Sequence, residues 1–73
     1  MSTRNRVKYI HEGKYVAEVA VELIEDDSAW SPYLSLDDAE KLEDVRAALA
    51  RGDVLAASRQ ARVFTLQPVA ASR

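Results

Sequence analysis

Two stretches of apolar and polar alternation open the chain. In residues 7–11, Val7, Tyr9 and His11 fall on one side and Lys8 and Ile10 on the other. In residues 15–24, Tyr15, Ala17, Val19, Val21 and Leu23 share one side, while Val16, Glu18, Ala20, Glu22 and Ile24 share the other. A period of two with β-branched enrichment predicts two strands. Glu12, Gly13 and Lys14 between them predict a hairpin loop. A three-residue loop pairs His11 with Tyr15, Tyr9 with Ala17 and Val7 with Val19, and it keeps Lys8 off the apolar face. The choice matters, because a slip of one residue exchanges the two faces.

The pattern then changes. Residues 25–28 read as a turn or loop, and Pro32 holds Ser31 toward extended geometry. Leu36, Ala39, Leu42, Val45 and Leu49 recur at helical spacing. Ser35 is placed to cap that helix, with Asp38 three positions on in the manner of a capping box. Asp37 and Asp38 suit the positive end of the helix dipole. Gly52 suits the position just past the helix, and Asp53 suits the cap of a second, short helix running to Arg59. Residues 61–67 predict a last strand, ended by Pro68. The expected fold is α+β: a small antiparallel sheet in the order β-β-α-α-β, with helices packed on one face. The expected core is Tyr9, Ala17, Val19, Val21, Leu23, Leu36, Leu42, Val45, Leu49 and Phe64. Residues 1–5 and 69–73 are expected to be frayed tails.

Length bounds this picture. Seventy-three residues make one domain. A chain of that size buries only about 60% of the surface its unfolded form exposes, so its own core is small. Cysteine is absent, which removes disulfides, thiolate metal sites and cysteine nucleophiles. No apolar run is long enough to span a membrane. The polar start does not resemble a signal core, so a cytoplasmic location is expected.

Net charge is −2 but unevenly spread. Residues 1–14 carry +3, residues 15–44 carry −9 and residues 45–73 carry +4. That division suits a basic partner for the middle, or packing of the middle against the ends.

Candidate chemistry is sparse. His11 is the only histidine, so an imidazole or thiolate metal site lacks ligands, and His11 is expected to serve the hairpin end. The two glycines stand 39 residues apart, which leaves no glycine-rich phosphate cradle. Asp37, Asp38, Glu40, Glu43 and Asp44 fan over a helix surface instead of converging as an acid–base pair. Neither a catalytic residue, a metal nor a cofactor is expected. Trp30 and Tyr33 flank Ser31 and Pro32. Large rings of this kind either lid a small core or anchor a partner. In the second use Trp30 and Tyr33 form the centre of a contact, and Asp26, Asp27, Asp37 and Asp38 form its charged rim.

Residues 13–19 (GKYVAEV) and 34–49 (LSLDDAEKLEDVRAAL) together resemble the amino-terminal domain of HicB-type antitoxins. That family has a Gly-Tyr-Val-Ala strand followed by a capped helix ending in Ala-Leu. Residues 25–33 lack its third-strand pattern, residues 53–59 add a helix, and no DNA-binding module is expected. The resemblance implies a protein-binding role, as the antitoxin that covers a small ribonuclease toxin. The leading expectation is therefore a non-catalytic interaction module with a protein partner, in the family's case a basic toxin. The alternative is a small nucleic-acid-binding regulator using Arg4, Arg6, Lys8, Arg59 and Arg62 on one basic edge. A homodimer is expected too, because Val16, Ala20 and Ile24 on the second face of the long strand need a cover if helices occupy only the first.

Overall fold

The computed structural model describes residues 2–26 and 31–70. Six elements follow in order: β1 (Ser2–Glu12), β2 (Tyr15–Glu25), β3 (Tyr33–Leu34), α1 (Leu36–Ala50), α2 (Val54–Ser58) and β4 (Arg62–Thr65). This is an α+β fold with an antiparallel sheet. Strand β2 lies at its centre. Along one edge it pairs with β1 over its whole length, and along the other it pairs with β4 at its start and β3 at its end.

The hairpin loop has two residues, not the three expected. Glu12 faces Tyr15, and only Gly13 and Lys14 lie between them. Gly13 has φ 58°, and no non-glycine residue in the described chain has positive φ. Positive φ at the first loop position alone is the demand of a II′ turn, which glycine meets without steric cost. The expected register put Gly13 second, and this is what displaced the faces. In the observed register Ile10 faces Ala17 and Lys8 faces Val19. Ile10 therefore joins the core at 4% exposure, while Tyr9, expected inside, is 66% exposed. Lys8 does stand on the apolar side, but at the sheet edge its side chain reaches water.

Residues 2–5 are not frayed. They pair with Glu25, Ile24, Leu23 and Glu22 and extend β1 to eleven residues. Strand β3 was not expected. It is only Tyr33 and Leu34, set against Ile24 and Leu23. The last strand is shorter than expected and lies on the edge of β2 away from β1.

Both helices start where their caps stand. Ser35 Oγ accepts from the Asp38 amide at 3.1 Å, and Asp53 Oδ1 accepts from the Ala56 amide at 3.1 Å. Helix α1 ends in a Schellman arrangement: the Gly52 amide donates to Leu49 O and the Asp53 amide to Ala48 O. Gly52, at φ 76°, supplies the left-handed residue that closure needs.

Both helices cover the same face of the sheet. The core is Ile10, Ala17, Val19, Val21, Val45, Ala48, Leu49 and Ala57, with Tyr15, Leu34, Leu42 and Val63 packed against it. Of the other expected core residues, Leu23 is half-buried. Leu36 is 73% exposed because it opens the helix beside its cap, and Phe64 is 44% exposed. The pairing of Val63 with Ala17 gives Val63 the covered side and sends Phe64 to the other.

Candidate functional site

The face of the sheet opposite the helices carries a patterned surface. Cross-strand pairing arranges it in rows. His11, Val16 and Phe64 form the first, Tyr9, Glu18 and Arg62 the second, Val7 and Ala20 the third, Asn5 and Glu22 the fourth, and Thr3, Ile24 and Tyr33 the last. Tyr9, Val7, Phe64 and Tyr33 are all more than two-fifths exposed. Leu66, whose amide donates to Lys14 O at 2.7 Å, follows β4 and is also exposed.

The charges in this field are partly neutralised from within. Glu18 takes an ion pair from Arg62 at 3.5 Å, and the Tyr9 hydroxyl donates to its other oxygen at 3.5 Å. The Arg62 guanidinium lies 5.3 Å from the Phe64 ring centre, within cation–π reach. An apolar surface with an internally paired charge repels neither an apolar partner nor one of moderate charge. Contiguous exposed apolar surface of this sort marks interaction sites.

Between β3 and β4, residues 19–22 of β2 pair with no third strand among the described residues. Side chains of α1 bond to that stretch of edge. Asp38 Oδ2 accepts from the Glu22 amide at 2.8 Å, and Lys41 Nζ donates to Ala20 O at 2.6 Å. Lys41 and Asp38 also pair with each other at 3.7 Å. A cleft of about 160 Å³ sits there, lined by Asn5, Ala20, Val21, Glu22, Asp38 and Lys41. Its volume falls below the few hundred Å³ of usual small-molecule sites. Asp38 thus serves both as the partner of the Ser35 cap and as a substitute for a missing strand.

The residues singled out from sequence are dispersed. Tyr33 lies in β3 at the end of the open face. Asp37 is exposed in the first turn of α1, Asp38 is turned to the sheet edge, and Asp26 is half-buried just past β2. Trp30 and Asp27 lie outside the described residues. The supposed basic edge does not assemble. Arg4, Arg6 and Lys8 belong to β1 and Arg62 to β4, and these strands flank β2 on opposite sides. Arg4 grips Glu25 through two contacts of 2.9 Å, and Arg62 is held by Glu18 on the open face. Arg59 caps the end of α2. His11 Nε2 donates to Gly13 O at 2.8 Å, which ties the strand end to the loop as expected.

Among the described residues, no group of three histidine, aspartate or glutamate side chains is placed to hold a metal ion. No described helix is long and apolar enough to cross a membrane. The residues missed from sequence are Val7, Tyr9 and Phe64, as members of a surface. Their alternation was visible, and counting Gly13 as the first loop residue would have placed Val7 and Tyr9 there.

No family model, no curated protein and no solved structure matches this chain.

Proposed function

We propose that this chain is a non-catalytic protein-interaction module that works through the uncovered face of its sheet. The observation that carries this is the field built from Val7, Tyr9, Val16, Ile24, Tyr33 and Phe64, which no described element covers. Tyrosine and phenylalanine at such a surface gain most from burial, since each ring removes a large area from water with few rotors to fix. The narrower form of the proposal is an antitoxin for a small basic ribonuclease. It draws on the HicB resemblance and on the −9 charge of residues 15–44, which suits a basic partner. Asp37, Glu40, Glu43 and Asp44 are exposed along α1, where they would steer such a partner without forming the centre of the contact. The alternative, a nucleic-acid regulator, gains little from cations divided between the two edges of the sheet.

Co-expression of the tagged chain with the product of its neighbouring reading frame tests the proposal. A complex should form with the wild type and be lost with Tyr9→Asp and with Phe64→Asp, while both variants keep the wild-type circular dichroism. A complex indifferent to both substitutions overturns it. So does tight, steeply salt-dependent binding of nucleic acid in place of protein.

A further inference from the structure

The dimensions of the molecule bear on what covers the open face. A compact chain of 73 residues has a radius of gyration of about 11 Å, whereas this one measures 15.1 Å and extends 51 × 34 × 15 Å. Its accessible surface is 5610 Å². A compact monomer of 8.1 kDa exposes about 4,500 Å². The excess of about 1,100 Å² is more than the roughly 800 Å² that each partner buries in a stable interface. The exposed residues 66–70 contribute to that excess, and the rest follows from helices lying on one side of the sheet only, which leaves Val7, Tyr9, Val16, Ile24, Tyr33 and Phe64 without a second layer.

We infer that a second copy of this chain supplies that layer, face to face, about a two-fold axis crossing the strands at the row of Val7 and Ala20. The inference rests on the reading of the open face as a contact surface, and it names the occupant. The rows of the sheet fit this operation. An axis through Val7 and Ala20 lays the first row of one copy over the last row of the other. Phe64 and Val16 then meet Tyr33 and Ile24 of the second copy, ring on ring and aliphatic on aliphatic. The second row meets the fourth, which lays Glu18 over Glu22 of the second copy and leaves Arg62, already paired with Glu18, as the cation the two carboxylates share. At the axis, the small side chain of Ala20 lets the two sheets approach to the usual spacing of about 10 Å. Each contact occurs twice, as a two-fold interface requires. A different protein docking on the same face would compete with the second copy.

Sedimentation equilibrium of the full chain at micromolar to hundred-micromolar concentration is the test. The expected mass is twice 8.1 kDa. Ala20→Arg buries an unpaired charge at the axis and should weaken association by at least about a hundredfold. Arg62→Glu leaves Glu18 and Glu22 of the second copy facing each other without a cation and should weaken it by about tenfold. It also serves as the second variant should Ala20→Arg fail to fold. Leu55→Arg, on the exposed side of α2, should change nothing. A dimer that persists in both Ala20→Arg and Arg62→Glu overturns the inference, because its interface lies elsewhere. A wild type that stays monomeric also overturns it. In that case, loss of a co-expressed partner on Tyr9→Asp leaves the open face as a contact surface for another protein, and retention of that partner removes both readings.

Discussion

On one side of β2, Ala17, Val19 and Val21 are buried beneath two helices; on the other, Val16, Ala20 and Ile24 lie under no element among the described residues. The two faces are drawn from the same strand, the covered one wholly apolar from Tyr15 to Leu23 and the open one interrupted by Glu18 and Glu22. The difference lies in what α1 and α2 can reach. A single helix of fifteen residues and a second of five cover one side of a sheet and have no length left for the other. Small side chains accompany the covered face: Ala17, Ala48 and Ala57 let the helices settle close. Rings accompany the open one. Close packing within the chain and large rings held outward are different uses of apolar residues, and the second fits an intermolecular contact.

The sharpest way to break this comparison is to truncate one residue on each side. Leu49→Ala, in the covered core, should cost about 2–5 kcal/mol of folding stability. Phe64→Ala removes a larger side chain from the open face, and at concentrations where the chain is monomeric it should cost less than about 1 kcal/mol. Urea melts of both variants measure this, and equal losses would mean that Phe64 serves the monomer's own core.

The register that separates the faces depends on Gly13. At φ 58°, with nothing within 4 Å of an added Cβ, Gly13→Ala meets no clash and pays only for the backbone conformation. That cost is about 1–2 kcal/mol. A stabilised Gly13→Ala would refute the positive-φ loop and with it the assignment of Tyr9 to the open face.

Smaller effects refine the frame on the helix side. Ser35→Ala should cost about 1 kcal/mol through loss of the bond to the Asp38 amide. Thermal melts would show it as a lowered midpoint, and an unchanged midpoint would place the start of α1 elsewhere. Least of all, Arg4→Ala should cost no more than about 1 kcal/mol despite its two contacts to Glu25, because the pair is solvent-exposed. A larger loss in urea would give that ion pair a part in holding the long edge strand that its exposure does not suggest.

Much of this architecture was legible in residues near one another in the chain. The alternation of 15–24, the Ser35 and Asp53 caps and the Gly52 terminus were decided by local chemistry: side-chain period, orphan amides and a left-handed backbone position. The two-residue strand β3 was illegible, since Tyr33 and Leu34 become a strand only by lying against Ile24 and Leu23. The double use of Asp38 was equally hidden. Its place in the first turn of α1 could be read, but the bare Glu22 amide 16 residues earlier could not.

Local chemistry along the chain is enough to form a hairpin and two capped helices, and to make one face of the long strand apolar enough to be a core. Which neighbours that face receives depends on long-range pairing. A single loop residue sets the register, so Ile10 went in and Tyr9 went out. The order of pairing put β1 and β4 on opposite edges and so divided the arginines that looked like one group. Local preference fixes each element, but the partition of side chains between faces and edges depends on how distant strands meet, where a shift of one residue reverses every assignment.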